Sequence, residues 1–456
     1  MSGSSKRVRT VPAAALVTAL ATALAACGGV SAGGDDEGDG AATSLTTMGF
    51  GLGDEIATAR VDAYTQESGV EVEVNEGGFD EQQFLSAIAS GSPPDAVRMD
   101  RSSLGTYAAR GALMPLEDCI ATADVDMAAF RDPAVEQVTL DGTVWGLPEF
   151  YSVRVVIADE SSLQAAGLTP EAVSTGDWEA LVAADARLSA AEGGNVSRIG
   201  YDAKLADFFP MWVAAAGGQV LSDDGRTAML DTPEAVAAVE LGARLAEQQG
   251  GWPSVKAFKE TWDFFGAENQ FAIDQLGAMP MEDWYVNQLA EVADGPVGVT
   301  VLPFKDVQGQ PLTWATGSAW AIPAESANPD EACEFIATMT AADTWVTAAR
   351  ARAQALRDEG GAYTGTYTGN EVADEQIFSE VYEPTGDPSL DAAVQTLQDV
   401  QGAAFSLPAS PAGAEFTQAY TDAITRVLEG QQPAAEAMAQ AQEEAQAALD
   451  EAGGDS

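Results

Sequence analysis

The chain contains no histidine at all among its 456 residues. Ser-His-Asp triads, Cys-His dyads and HExxH zinc sites all need an imidazole, so this absence excludes most hydrolase mechanisms. Chemistry by paired carboxylates stays open, because 71 acidic residues could supply two suitably spaced carboxylates by chance. A secreted, carboxylate-dependent glycoside hydrolase is therefore the class of enzyme that the composition still allows.

Basic residues are also scarce, since 21 Lys and Arg face those 71 acids and give a formal net charge of −50. Such a surface repels nucleic acid and anionic lipid headgroups, so neither is an expected partner. The acids are spread along the whole chain, which favours a solvated acidic surface, such as a saline habitat would demand. A cation-binding site is the alternative, but no metal site or cofactor is predicted.

Cysteine occurs only three times, at Cys27, Cys119 and Cys333. In an exported protein the last two could form a disulfide, provided that the fold brings their Cα atoms close together. They could equally remain as two buried free thiols. The sequence alone leaves both alternatives open.

One apolar run, residues 11–26, follows Lys6, Arg7 and Arg9. At 16 residues it is shorter than the ~20 that a membrane-spanning helix needs, and it is typical of a secretory signal. A transmembrane anchor or a mobile N-terminal helix is the alternative. The run ends in "LAAC", which resembles the bacterial lipobox and predicts that Cys27 is lipidated after cleavage. We therefore expect a signal peptide over 1–26 and a flexible tether, rich in Gly, Ala, Ser and Asp, over 27–43.

After the tether, the pattern alternates between strands and helices. "SLTTMGFG", "VEVEVNE" and "DAVRM" read as strands, and the helix between the first two ends at Gly69. Further along, Thr232 is a candidate N-cap, 295–304 an extended run, and the last segment an Ala-rich docking helix. Alternating strands and helices predict an α/β fold with mostly parallel sheets.

Five stretches, in order, resemble the extracellular solute-binding proteins of family 1, the sugar receptors of ABC importers, which include maltose-binding protein. They are "SGSPPDAVRMDRSSLGTYAARGALMPLED", "LDGTVWGLPEFYSVRVVIADESSLQAAGL", "DWEALVAADARL", "FAIDQLGAMPMEDW" and "VGVTVLPFKDVQGQPLTWATGSAWAIPAESANPDEACEFIATMT". Two positions depart from the family pattern: "ADE" at 158–160 replaces the usual "YNKD", and Glu282-Asp283 replaces the usual Gly before Trp284.

The resemblance implies an α/β fold of the type II periplasmic-binding-protein kind, with two lobes and a ligand cleft between them. Lobe one would comprise 44–152 plus 305–345, and lobe two 153–304 plus 346–452. A bridge between Cys119 and Cys333, both in lobe one, would then be geometrically possible. Closure of the lobes around a ligand is a known response in such receptors.

The resemblance also implies a function. The chain would be a monomeric receptor, not an enzyme, that captures a small polar ligand and hands it to the permease subunits of an ABC importer. It would be lipid-anchored at the extracellular face of a bacterial cell membrane. A mono- or oligosaccharide is the expected ligand, and peptide-like, polyamine or other polar ligands remain open.

Sugars present flat apolar faces rimmed by hydroxyls, so a receptor for them needs aromatic rings together with carboxylates, amides and arginine. The candidate ligand-binding residues are Asp100, Arg101, Phe150, Tyr151, Phe208, Phe209, Glu282, Asp283, Trp284 and Trp314. We expect Trp284 to stack on the ligand from lobe two while Asp100 and Arg101 bind its polar edge from lobe one. Asp100 could instead cap the helix that follows it. No catalytic residue is predicted, and Tyr363 and Tyr367 are secondary aromatic candidates.

Overall fold

The computed structural model describes residues 42–290, 292 and 297–454. The predicted signal peptide, Cys27 and most of the predicted tether lie outside these residues. The strands are β1 (Ser44–Met48), β2 (Glu71–Val74), β3 (Ala96–Asp100), β4 (Thr139–Leu140), β5 (Thr143–Val144), β6 (Leu147–Pro148), β7 (Arg154–Asp159), β8 (Ala190–Glu192), β9 (Asn195–Tyr201), β10 (Leu276–Glu282), β11 (Val299–Pro303), β12 (Thr313–Trp314), β13 (Ser318–Ala321) and β14 (Ala404–Phe405).

The α-helices are α1 (Glu55–Ser68), α2 (Glu81–Ala89), α3 (Arg101–Ala109), α4 (Glu117–Thr122), α5 (Asp132–Val138), α6 (Glu160–Ala166), α7 (Trp178–Leu188), α8 (Phe209–Ala215), α9 (Pro233–Gln248), α10 (Trp252–Lys259), α11 (Tyr285–Ala290), α12 (Pro329–Thr340), α13 (Ala342–Glu359), α14 (Glu371–Glu380), α15 (Pro388–Val400), α16 (Gly413–Leu428) and α17 (Ala434–Gly454). In the described part, no helix combines the length and the apolar character needed to cross a membrane.

Two five-stranded sheets organise the fold. The first has the order β2-β1-β3-β13-β6, with β1 parallel to β2 and β3, and β13 antiparallel to both of its neighbours. The second has the order β11-β7-β10-β9-β8, in which β10 is parallel to β9 and the other three pairings are antiparallel, so the prediction of mostly parallel sheets is wrong. We call the half built on the first sheet lobe one and the half built on the second lobe two.

Strand β7 shows how the sequence places a sheet inside its lobe. All six of its residues are buried, so the strand is covered on both faces. Val156 and Ala158 join one apolar cluster, while Val155 and Ile157 join another. This is the alternation of side chains that a strand imposes, with hydrophobic residues on both faces because helices pack on both sides of the sheet.

Many of the acidic residues begin helices. The side chains of Asp54, Asp80, Asp159, Asp177 and Asp387 each cap a helix by accepting a hydrogen bond from a backbone N–H in its first turn. A carboxylate there satisfies an otherwise unpaired donor and complements the positive end of the helix dipole. Part of the chain's large negative charge therefore has a local structural use.

Cys119 and Cys333 form a disulfide, with their Cα atoms 5.6 Å apart and a separation of 214 positions in sequence. The bond joins α4 to α12, which pack against each other in lobe one. Of the two alternatives that the sequence leaves open, the structure has the paired one.

The last third of the chain contacts both lobes. Helix α13 packs against α1 of lobe one, whereas α16 and α17 pack against α9 of lobe two. The residue boundaries given above for the two lobes remain a prediction.

Candidate functional site

Two chain segments cross between the lobes side by side. The segment from β6 to β7 and the segment from β12 to β13 pair through Ser152 and Thr316, whose N–H groups each donate to the other's carbonyl, at 2.9 and 3.0 Å. A third segment joins them, because the N–H of Gly369 donates to the carbonyl of Glu149 at 2.7 Å. These crossing segments form the base of the space between the lobes.

Buried arginines hold the crossing segments from either side. In lobe one, Arg101 Nη1 donates to the carbonyls of Phe150 and Ser318. In lobe two, Arg154 Nη1 donates to the carbonyls of Ser152 and Trp314, both at 3.0 Å. The four carbonyls belong to the two paired segments, so each arginine ties both segments to its own lobe.

Gly317 allows the two crossing segments to lie close to each other and to Arg101. Its φ is +147°, and a Cβ there would lie 2.0 Å from the carbonyl oxygen of Phe150 and 2.7 Å from Arg101 Nη1. A side chain would separate the two crossing segments and displace the guanidinium. Glycine is therefore required where the chain enters β13.

A cavity of about 210 Å³ opens above the crossing segments. We call it the aromatic cavity. Lobe one supplies its wall at the start of α1, lobe two supplies the end of β10 together with α11, and the loop before α14 closes a third side. Its lining residues include Asp54, Ile56, Phe150, Asp283, Trp284, Asn287, Tyr363, Thr364, Thr366 and Tyr367. Aromatic rings and small polar groups thus face one space.

A second cavity, of about 370 Å³, adjoins the first in lobe one. We call it the arginine cavity, because Arg60, Arg98 and Glu149 lie in its wall, with Phe50 and Trp345 beside them. The two cavities share four lining residues: Asp54, Ile56, Phe150 and Thr366. The two cavities therefore adjoin each other along these four residues.

Glu149 is the centre of a buried charge cluster in the arginine cavity. Its carboxylate pairs with Arg60 at 2.8 Å and with Arg98, and it accepts a hydrogen bond from the Ser318 hydroxyl at 2.7 Å. Burial alone would raise the pKa of Glu149, but the guanidiniums of Arg98 and Arg60 outweigh it and lower the pKa to about 2. Arg60 also lies 3.9 Å from the ring centre of Trp345, an arrangement typical of cation–π contact.

Asp283 is the buried carboxyl of the aromatic cavity, with 3% of its surface exposed. Its Oδ1 accepts hydrogen bonds from the Ser152 hydroxyl at 2.6 Å and from the backbone N–H of Trp284 at 3.0 Å. Burial raises the pKa of Asp283 to about 7, although Ser152 and Arg154 act to lower it. At neutral pH this carboxyl can therefore either donate or accept a hydrogen bond.

The loop before α14 brings Tyr363 and Tyr367 to the cavity. Asp374 fixes this loop, because it accepts hydrogen bonds from the N–H and hydroxyl of Thr368 at 2.9 and 2.8 Å and pairs with Arg131 at 2.7 Å. The hydroxyl of Tyr367 is buried and has no hydrogen-bond partner in the structure. A buried hydroxyl in a cavity wall is a group that a polar ligand could satisfy.

Three of the ten residues predicted from the sequence line the aromatic cavity: Phe150, Asp283 and Trp284. Asp100 is exposed and lines neither cavity. It occupies the N-cap position of α3 but makes no capping hydrogen bond through its side chain.

The other six surround the crossing segments or lie in the core. Arg101 is fully buried, and Tyr151 lies beneath it, with the guanidinium 5.5 Å from its ring centre. Phe208 and Trp314 lie against the guanidinium of Arg154, and Glu282 pairs with Arg154 at 3.3 Å. Phe209 packs on Tyr420 in the core of lobe two. These side chains are used in contacts within the protein.

Sequence reasoning missed several residues of the two cavities. Asp54 lines both, while its Oδ1 caps α1 by accepting the N–H of Ala57 at 2.7 Å. It follows the C-terminal end of β1, the position where α/β folds place ligand groups, and that rule could have identified it. Glu149, Arg60 and Arg98 carried no such signal. Within the described residues, no group of three or more acidic, Cys or His side chains is placed to hold a metal ion.

The family model for bacterial extracellular solute-binding proteins matches residues 59–357. A lactose-binding protein from Rhizobium radiobacter is 23% identical over 273 residues, which cover 58% of this chain and 61% of that protein. The alignment therefore spans about three fifths of the relative's length.

Solved structures show the same fold. CpMnBP1, solved with mannobiose bound, aligns with a TM-score of 0.71 at 20% identity, covering 88% of this chain and 99% of that one. A solute-binding protein of an ABC transporter from Thermotoga lettingae, solved with α-D-tagatose bound, gives a TM-score of 0.68 at 20% identity, covering 90% and 100%. Two α/β lobes with a cleft between them, as the sequence predicts, are thus the architecture of this chain. Because the family model spans more than half of its residues, the chain belongs to the bacterial extracellular solute-binding proteins.

Proposed function

We propose that this protein is a receptor that binds a mono- or oligosaccharide in the adjoining cavities and delivers it to an ABC importer. The observation that carries the proposal is the lining of the aromatic cavity, where Phe150, Trp284, Tyr363 and Tyr367 face the same space as Asp54, Asp283 and Asn287. Rings of this kind cover the apolar faces of sugars, and the carboxyl and amide groups bind their hydroxyls. Two of the structural relatives were solved with mannobiose or tagatose bound, which agrees with this choice.

Closure follows from where these contacts lie. Asp54 belongs to lobe one, and Asp283 and Trp284 belong to lobe two. A ligand that touches both walls binds the closed form more tightly than the open one, and this difference in affinity shifts the equilibrium toward closure. Arg101 and Arg154, which hold the crossing segments, would act as positioning residues in that movement and not as ligand contacts.

Membrane attachment is the second part of the proposal. The "LAAC" sequence that ends at Cys27 favours a lipid anchor, and the segment after it would be a tether long enough to leave the receptor free to move. Such a receptor would stay at the extracellular face of the membrane, near the permease subunits that receive the ligand. Recovery of the protein from the membrane fraction of its host, and not from the medium, is the result that this anchor requires.

The test begins with thermal melting of the purified protein in a panel of saccharides that includes lactose, mannobiose, mannotriose and tagatose. A ligand at 100 times its Kd stabilises a protein by about 2.7 kcal/mol, so a specific ligand raises the melting temperature clearly. Analysis of the same mixtures for new sugar products distinguishes a receptor from a glycoside hydrolase. Stoichiometric protection without turnover is the expected outcome.

Calorimetric titration of Trp284→Ala then tests the site. The loss of a stacking ring costs on the order of 1–3 kcal/mol, so binding should weaken roughly tenfold or more. Trp178→Ala is the matched control, because Trp178 is also a half-buried tryptophan of lobe two but lines neither cavity. If Trp284→Ala binds like the wild type, or if no saccharide in the panel protects the protein, the proposal is wrong.

A further inference from the structure

Phe265 has an unusual position for a phenylalanine. Its side chain is 63% exposed, more than any other large hydrophobic side chain in the described part of the chain. One exposed apolar residue does not by itself indicate a binding site, because much of any protein surface is apolar. The position of Phe265 next to the aromatic cavity makes it a candidate ligand contact.

Phe265 lies beside Trp284 but outside the aromatic cavity. The two ring centres are 6.1 Å apart and the ring planes differ by 14°, so the rings form a nearly parallel, stacked pair. Trp284 lines the aromatic cavity, whereas Phe265 does not. The pair therefore consists of one ring in the cavity wall and one exposed ring next to it on the surface of lobe two.

The loop that carries Phe265 is held by its neighbours. The carbonyl of Phe265 accepts a hydrogen bond from Gln288 Nε2 at 3.1 Å. The carbonyl of Phe264 accepts hydrogen bonds from Asn269 Nδ2 at 2.9 Å and from the Tyr285 hydroxyl at 3.2 Å. Asn269 is completely buried, which fixes the loop against α11. An exposed ring on an anchored backbone loses little freedom when it binds a ligand, so its contact area contributes more fully to affinity.

We propose that Phe265 forms an outer subsite that binds an additional sugar unit of an oligosaccharide whose inner units occupy the aromatic cavity. This inference rests on the proposed function and deepens it. It specifies an oligosaccharide that projects beyond the cavity as the preferred ligand. The exposed part of the Phe265 ring would contact the outer sugar unit, while Trp284, Asp54 and Asp283 would bind the inner units.

Chain-length dependence of binding tests this assignment. Calorimetric titrations use manno-, galacto- and malto-oligosaccharides of one to four units with the wild type, Phe265→Ala and Phe265→Tyr. In the series that binds, the wild type should gain affinity with each added unit until the outer subsite is filled. Phe265→Ala should raise the Kd for the longer ligand about five- to tenfold, while the Kd for the shortest ligand that binds should stay within about twofold of the wild-type value. Phe265→Tyr, which keeps the ring, should restore the gain.

Val307→Ala is the matched control, since Val307 is 47% exposed and lines neither cavity. It should bind every ligand like the wild type. If Phe265→Ala binds ligands of every length like the wild type, or weakens all of them by the same factor, the outer subsite is refuted while the proposed function stands. If the wild type binds no saccharide of any length, the proposed function fails, and the outer subsite fails with it.

Discussion

Replacement of Glu149 by glutamine tests the charge cluster of the arginine cavity. The side chain keeps its size and one carbonyl oxygen but loses its negative charge. Glu149 is 1% exposed, and its partner Arg60 is 4% exposed. In the variant, Arg60 would therefore be a buried guanidinium with no anion paired to it, whereas Arg98, which is 31% exposed, would be partly solvated.

The expected loss follows from the pKa of Glu149. The difference between its value of about 2 and the ordinary value of 4.5 corresponds to roughly 3 kcal/mol of the free energy of unfolding at neutral pH. An independent expectation agrees, because removal of one partner from a buried ion pair generally costs about 3–5 kcal/mol. The ligand-free protein should therefore lose about 3 kcal/mol.

The pH dependence provides a stricter check. A carboxyl whose pKa is lowered on folding stabilises the protein above its unfolded pKa, and this stabilisation is lost as the pH falls through its folded pKa. The advantage of the wild type over Glu149→Gln should thus be complete above about pH 5, decline below pH 4.5 and vanish near pH 2, because protonated glutamate resembles glutamine.

Urea unfolding of the ligand-free proteins between pH 7 and pH 3 measures this difference. Glu380→Gln is the control, because Glu380 pairs with Arg350 at 2.6 Å but both side chains are more than half exposed. Exposed pairs contribute about 1 kcal/mol or less. Our reasoning about burial is refuted if Glu149→Gln costs no more than the control, or if its cost does not change with pH.

Two further predictions concern the disulfide and the buried acid of the aromatic cavity. The Cys119→Ser, Cys333→Ser double variant should unfold at lower urea, with a loss of about 3–5 kcal/mol because the bond closes a loop of 214 residues. Mass spectrometry of the non-reduced, alkylated wild type should find neither thiol free. Asp283→Asn should stabilise the ligand-free protein by up to roughly 4 kcal/mol at pH 8 and leave it unchanged near pH 4. Burial raises the folded pKa of Asp283 to about 7, so the folded wild type holds a charged, buried carboxylate at pH 8 but a neutral carboxyl near pH 4. Equal melting shifts at both pH values would contradict this account of Asp283.

The elements that the sequence predicts well depend on local interactions. Helix α1 starts where Asp54 can cap it and ends at Gly69, which has a φ of +74°. Helix α9 begins after Thr232, the predicted N-cap, whose hydroxyl accepts the N–H of Ala235, and Ala238 and Leu241, which share one face at helical spacing, are both buried. Helix caps and the spacing of apolar residues involve positions only a few residues apart, so they can be predicted without knowledge of the tertiary structure.

Local sequence patterns could not predict which residues line the cavities. Arg98 and Arg101 are three residues apart at the end of β3, yet Arg98 lines the arginine cavity while Arg101 is buried behind the crossing segments. Arg98 is placed by its pairing with Glu149, 51 residues away, and Arg101 by its hydrogen bond to the carbonyl of Ser318, 217 residues away. The same holds for Trp314, a candidate ligand-binding residue in the sequence, because the ring lies 5.0 Å from the Arg154 guanidinium, 160 residues away. In each case the partner is distant in sequence.

Under the proposed function, the crossing segment would connect ligand binding with lobe movement. Glu149 belongs to the charge cluster, Phe150 lines both cavities, and Ser152 bonds to Asp283. Three residues within four consecutive positions thus contact lobe one, the cavities and lobe two. Because the carbonyls of Phe150 and Ser152 are held by Arg101 and Arg154, a ligand in contact with Phe150 would act on the hydrogen bonds that tie the segment to both lobes. A change at this segment should therefore alter affinity and the balance between open and closed forms together, whereas a change at Phe265 should alter affinity alone.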